Sequence, residues 1–213
     1  ALPSSHYFYD GKLQAADRNK KWLIDHLKVN PSQLPEIIDA SIPLHWIDHN
    51  GKEISAGMKM GYTNETEAYI VLRVLKDLLD NYELEADQIG IITAYNMQRD
   101  LIKNQVEKNF ARYFGSHNLK FLQISSVESF QGGEKDVIIY ATTRSNTSND
   151  IGFLQEERKL NVAVTRAKKL IVMIGDALTL METNQKSFTS EIYRAARDYG
   201  RYHYFERTTK SFL

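Results

Sequence analysis

The 213-residue chain has no cysteine. Disulfides and thiolate metal sites are therefore excluded, and a reducing compartment suits the composition. Long apolar runs are also missing: none approaches the ~18–20 residues of a membrane span. The opening A-L-P-S-S-H-Y-F-Y lacks the basic-then-apolar form of a signal peptide. Charge of one sign is not in excess either, since 27 basic residues balance 27 acidic ones. A stand-alone nucleic-acid binder usually carries a basic surplus, so neutrality argues against strong independent binding but leaves room for a share in a groove. Proline is scarce, and all four prolines fall before residue 44. The chain also lacks a G-x-x-x-x-G-K-[ST] phosphate loop, a G-x-G-x-x-G turn, an H-E-x-x-H metal motif and a nucleophile elbow. No complete catalytic centre can be assembled from it.

What is present is concentrated between Val127 and Asp176. This stretch opens V-E-S-F-Q-G-G-E-K-D and continues through V-I-I-Y-A-T-T into Arg144-Ser145-Asn146. It then runs G-F-L-Q-E-E-R-K-L-N-V-A-V-T-R-A-K-K (Gly152–Lys169) into the apolar L-I-V-M-I (Leu170–Ile174). Two apolar runs, each preceded by polar segments dense in Arg, Glu, Gln and Gly, predict two buried strands with chemistry at their connections.

The remainder predicts the scaffold. Residues 1–41 are expected to be irregular and to pack on the domain. Within them Arg18–Lys21 is a basic cluster, and Tyr7-Phe8-Tyr9 is an aromatic wedge. Ile42, Leu44 and Trp46 alternate as in a strand, with Pro43 confining it to an edge or a strand start. Asn50-Gly51 signals a turn before a short hairpin. Asn64-Glu65-Thr66-Glu67 has the form of a capping box, opening a helix to about Tyr82. Ile89–Thr93 predicts a strand, Met97–Phe114 a helix, and Phe121–Ile124 and Val137–Thr142 two more strands. A helix over Glu157–Ala167 feeds Leu170–Ile174, and 177–182 and 189–199 are helical. The domain spans 42–200, and 201–213 form a tail. Apolar strands alternating with helices imply a parallel sheet covered on both faces. Ligands of such sheets bind outside the carboxyl ends of the strands.

Three groups of side chains carry possible chemistry. Gln131-Gly132-Gly133-Glu134 sets two glycines between polar side chains. The glycines allow close backbone approach to a ligand, and Glu134 could hold sugar hydroxyls; a surface turn with a solvated Glu is the alternative. Arg166, between a helix and a strand, could reach a phosphate across a cleft, or else cap its helix or pair with Glu156 or Glu157. Thr93, Tyr95 and Gln98 follow one strand, where a hydroxyl and an amide could hold backbone phosphates or simply cap and pack.

Taken together these segments resemble the late motifs of superfamily 1 helicases, nearest to the branch of the nonsense-mediated-decay helicase and senataxin. F-Q-G-G-E-K-D and G-F-L-Q-E-E-R-K-L-N-V-A-V-T-R-A-K carry most of the resemblance. I-I-T-A-Y-N-M-Q-R (Ile91–Arg99) is similar to that branch's I-T-P-Y-x-x-Q. P-S-S-H-Y-F-Y-D-G-K-L is similar to its P-S-x-x-F-Y-x-G-x-L, and Asn64–Ala68 to its N-x-x-E-A. The resemblance implies a RecA-like (P-loop NTPase-type) α/β domain, the second of two that bind ATP between them and a nucleic-acid strand across their top. It implies that Arg166 is the finger on the γ-phosphate, that Glu134 contacts the ribose, and that Gln131 and Gly132 lie beside the nucleotide. Thr93, Ser126 and Asn161 become strand contacts. ATP and Mg2+ would be held mainly by an N-terminal RecA-like domain not seen in this sequence, so this chain alone is expected not to hydrolyse ATP. The implied partner is single-stranded RNA or DNA, with 5′ to 3′ movement, no membrane, and a nuclear or cytoplasmic location. Ala94 replaces the usual proline. A non-catalytic RecA-like module docking protein or RNA is the alternative function.

Overall fold

A computed structural model describes residues 2–12, 37–39, 41–57, 61–82, 84–110, 119–130, 133–182 and 186–206. Among the described residues the strands are β1 (Leu44–Asp48), β2 (Ile54–Ser55), β3 (Tyr62–Thr63), β4 (Ile89–Thr93), β5 (Gln123–Ser126), β6 (Lys135–Ala141), β7 (Ala167–Gly175) and β8 (Arg201–Tyr204). The helices are α1 (Leu2–Tyr9), α2 (Glu65–Asn81), α3 (Asn96–Asn109), α4 (Glu157–Val164), α5 (Ala177–Glu182) and α6 (Phe188–Asp198).

Six strands form one sheet in the order β5-β4-β6-β7-β1-β8, and every pair in it is parallel. β2 and β3 make a separate antiparallel pair. The parallel sheet needs cover on both faces, because side chains alternate between them. Val137, Ile139, Leu170, Val172 and Ile174 meet the apolar stripe of α2 and the inner side of α3. Ile138, Tyr140, Ile171 and Met173 point the other way and pack with α4, α5 and α6. This is the covered parallel sheet that the alternating pattern implies, and the RecA-like α/β arrangement that the motif resemblance implies.

Several expectations need correction. Residues 1–41 are not wholly irregular, since Leu2–Tyr9 is helical. Pro3 is tolerated in its first turn, and Tyr7 and Phe8 pack on Phe188 at ring-centroid distances of 5.4 and 4.8 Å. That contact fits a wedge. The Arg18–Lys21 cluster lies outside the described residues. Pro43 stands at a strand start, one of the two places expected for it, while the strand itself is internal and not an edge, because β8 supplies a further partner drawn from the tail. The strand expected at Phe121 starts at Gln123, after a 3-10 turn. α4 stops at Val164, leaving Thr165 and Arg166 as the turn into β7. The capping box forms by half. Asn64 Oδ1 accepts from Glu67 N at 3.0 Å, but Glu67 does not reach back. Its carboxylate accepts from Thr142 Oγ1 and Thr143 N instead, and Gln98 Oε1 takes the Asn64 amide at 2.8 Å.

Candidate functional site

The expected site residues fall at opposite ends of the sheet. At the amino end, Glu134 precedes β6 and Arg166 precedes β7. The Lys135 amide donates to the Arg166 carbonyl at 3.0 Å, and Lys135 pairs with Ala167 in register. Glu134 and Arg166 are thus brought to the same edge, on neighbouring strands. Glu134 is exposed and makes no ion pair among the described residues. Arg166 Nε donates to the Val162 carbonyl at 3.2 Å, so the side chain covers the end of α4. Its two Nη groups have no hydrogen bond to the described residues. Glu156 pairs with Lys159, and Glu157 accepts from Tyr7, so neither is engaged by Arg166. Gln131 and Gly132 lie outside the described residues.

This placement departs from the rule that ligands gather at carboxyl ends. The helix-to-strand turn and the loop into β6 both arrive at the amino end, and the Arg and Glu arrive with them. The chemistry offered there is a permanent cation with two nitrogen ends free of the described residues, on the strand beside a carboxylate that makes no ion pair among them. Such a pair suits a ligand with phosphates at one end and hydroxyls at the other.

At the carboxyl end, Thr93 and Ser126 are paired residues of β4 and β5. Both are buried. The Thr93 hydroxyl donates to the Tyr95 carbonyl at 2.7 Å, and Ser126 Oγ lies 3.1 Å from Ser129 Oγ. Thr93 therefore shapes the exit loop from inside. Ser126 also lines a cavity of about 250 Å³. The β4 exit (Ala94–Met97), the β5 exit (Ser126–Glu128) and the segment Phe153–Leu160 enclose that cavity. Tyr95 precedes α3 without a side-chain cap hydrogen bond, and Asn96 and Met97 of the first turn line the same cavity. Open helix amides suit an anion. Lys159 brings a positive charge, tied to Glu128 at 2.8 Å and Glu156 at 2.9 Å. Asn161, on α4, is partly buried, and its Oδ1 has no hydrogen-bond partner among the described residues. It does not line the cavity.

Arg144 holds this edge together and was given no role by the sequence motifs. It is 3% exposed. Its Nε donates to Glu53 at 3.0 Å, its Nη2 to Asp150 at 2.9 Å and its Nη1 to the Tyr95 hydroxyl at 3.1 Å. The guanidinium also lies 4.1 Å from the Tyr62 ring centroid, a cation–π contact. The amide of Gly152 and the Arg144 guanidinium together hold the Asp150 carboxyl below its ordinary value. The clues in the sequence were its place in the Arg144-Ser145-Asn146 string and its position after a strand, at a carboxyl end.

Comparison with known proteins gives one consistent answer. The sequence matches the family described as AAA domain over residues 2–178. It is 35% identical over 192 residues, 87% of the chain, to DNA polymerase alpha-associated DNA helicase A of Saccharomyces cerevisiae, covering 27% of that protein. It is 36% identical over 183 residues, 83% of the chain, to the regulator of nonsense transcripts 1 homolog of Drosophila melanogaster, covering 14% of it. With regulator of nonsense transcripts 1 of Dictyostelium discoideum it shares 39% identity over 141 residues, 65% of the chain and 10% of that protein. The chain thus spans no more than 27% of the length of these relatives.

Proposed function

This chain belongs to the AAA-domain family, in the nonsense-mediated-decay branch of superfamily 1 helicases, and from that premise we propose that it is the second motor domain of an ATP-dependent nucleic-acid helicase. The observation that carries the proposal is the backbone hydrogen bond from Lys135 to Arg166, which sets Glu134 and Arg166 side by side at the amino edge. Arg166 turns away from Val162 to meet the terminal phosphate, and Glu134 accepts from ribose hydroxyls. Gln131 and Gly132, close to Glu134 in the sequence, are assigned to the nucleotide with it. The phosphate loop and most contacts to Mg2+ come from a first RecA-like domain, so this chain by itself does not turn over ATP. ATP with Mg2+ supplies the phosphoryl-transfer step whose free energy drives movement.

The carboxyl edge is the proposed path of the single strand, RNA or DNA. The open amides of α3 and the Ser126 hydroxyl grip phosphates there, and Asn161 supports the wall. Thr93 acts through Tyr95. Such contacts position a strand without reading its sequence. Work of this kind places the protein in the nucleus or the cytoplasm.

The test is Arg166→Ala in a protein carrying both motor domains. Turnover of ATP should fall by ~10³-fold or more, the range for an arginine finger, while affinity for a single-stranded oligonucleotide stays within about threefold. A docking module without catalysis would show the same ATPase with and without the substitution, and that result would refute the assignment.

A further inference from the structure

We propose that Phe153 is a platform on which an unpaired base of the bound strand stacks. The inference rests on the helicase reading and names how the carboxyl-edge site holds its strand.

Phe153 is a large apolar side chain left 53% exposed, and it rims the cavity at the exits of β4 and β5. An exposed aromatic is ordinary when it is loosely placed; this one is fixed from below. Its amide donates to the Tyr95 hydroxyl at 3.4 Å, and its ring lies 5.3 Å from the Tyr95 ring, tilted by 47°. Tyr95 is buried and edge-on to Tyr62, with ring centroids 5.4 Å apart. It is held at its hydroxyl by Arg144 and at its carbonyl by Thr93.

The residue before Phe153 fits the same purpose. Gly152 has φ +52°, and a Cβ there would sit 2.3 Å from both Arg144 Nη1 and the Tyr95 hydroxyl oxygen. Only glycine lets the chain pass this close to the guanidinium and still turn Phe153 outward. The Gly152 amide is anchored in turn on Asp150 at 2.9 Å. A buried cation, two buried or part-buried rings and a left-handed glycine therefore converge on one exposed ring.

The surroundings match a nucleotide. The cavity beside the ring is lined by the Ser126 hydroxyl, Asn96 at the start of α3, and Lys159. Apolar face, hydroxyl, open helix amides and ammonium lie together, as a base with its phosphate requires. Every base has a π-face, so stacking of this kind is indifferent to sequence, which suits a motor moving along any strand.

The experiment uses protein with both motor domains, unaltered or carrying Phe153→Ala or Phe153→Trp. Two probes are titrated: a thymine-bearing single strand and an abasic strand of equal length. Phe153→Ala should weaken binding of the thymine strand by roughly 5- to 150-fold, the loss of one stacked base. It should leave the abasic strand unchanged, and Phe153→Trp should restore binding of the thymine strand. Because the ring is exposed, thermal melting of all three proteins should coincide. Equal affinity of Phe153→Ala and the unaltered protein for the thymine strand overturns the proposal. So does an equal loss on both probes, or a fall in ATPase without base-dependent loss, which would mark the ring as a contact between the motor domains. Failure of the unaltered protein to bind either probe overturns the helicase reading itself.

Discussion

Glu67 has no exposed surface, yet its carboxylate serves three parts of the chain. One oxygen accepts from Thr142 Oγ1 at 2.9 Å and lies 3.6 Å from His49 Nε2. The other accepts from Thr143 N at 2.6 Å and from Gln98 Nε2 at 3.4 Å. Thr143 has φ +73°, the left-handed region that a β-branched residue rarely enters. Strain of this kind persists only where neighbours over-determine it. Here the Glu67 carboxylate fixes the Thr143 amide, and the twist delivers Arg144 to Tyr95. Glu67→Ala should therefore destabilise the fold by about 3–4 kcal/mol, since it strands a buried amide and a buried hydroxyl. Urea unfolding measures it, and a loss below about 1 kcal/mol, the worth of one ordinary hydrogen bond, would contradict the role given to Glu67.

Among the elements, α1 is the least expected, because a short helix gains little from propensity and needs tertiary contacts. Its Tyr7 hydroxyl donates to both oxygens of Glu157, at 2.8 and 2.7 Å, while Glu157 also accepts the first amide of α6, from Phe188. Burial, then the hydrogen bond and charge of Glu157, raise the Tyr7 pKa to about 12. An unfolded tyrosine titrates near pH ~10. A folded pKa above the unfolded one means that this stabilisation is complete below pH ~10 and is lost as pH rises through about 12. α1 should thus loosen from α6 across that alkaline window, as followed by ultraviolet titration of tyrosinate together with proteolysis at the N-terminus. Tyr7→Phe should weaken the docking at neutral pH and abolish its alkaline dependence. A tyrosinate transition for Tyr7 near pH ~10 would count against the contact. The crossover from β5 to β6 is the other element with consequences. It leaves the carboxyl edge at Ser126, buries Phe130 and returns at the amino edge with Glu134, so one short segment touches both candidate sites. Gly90 makes room for it, as a Cβ there would lie 2.8 Å from the Phe130 ring.

For the whole molecule the deciding quantity is charge. With 27 residues of each sign, and Lys159 offset by two carboxylates, the carboxyl edge offers few uncompensated cations. Binding of a single strand by this chain alone should be weak and shallow in salt dependence. We expect a slope of log affinity against log salt no steeper than about −2, equivalent to about three phosphates at ~0.7 each. Fluorescence anisotropy at several salt concentrations measures it. A slope of about −5 or steeper would show that the chain grips the backbone by charge and does not rely on helix amides and stacking. On the proposed function, this chain then acts as a positioning surface, with most of the electrostatic hold supplied from outside it.

The amino-acid sequence alone determined the parallel sheet, because β-branched runs without polar alternation are buried on both faces, and its motifs, by resemblance, implied the RecA-like arrangement. It also determined the membership in a helicase branch, since the motifs around Gln131, Glu134, Asn161 and Arg166 are local strings. Much of α2 was legible too, from Asn64 and its apolar stripe. Only the tertiary structure decided where Glu67 points, which residues Arg144 ties together, and that α1 and β8 exist. It decided as well that Glu134 and Arg166 share one edge while Thr93 and Ser126 share the other. The reason is one of range. Periodicity and motifs act over a few residues, whereas a buried charge chooses partners that the fold brings in from far along the chain: Arg144 and Tyr95, or Glu67 and Thr143, meet only after the sheet has formed.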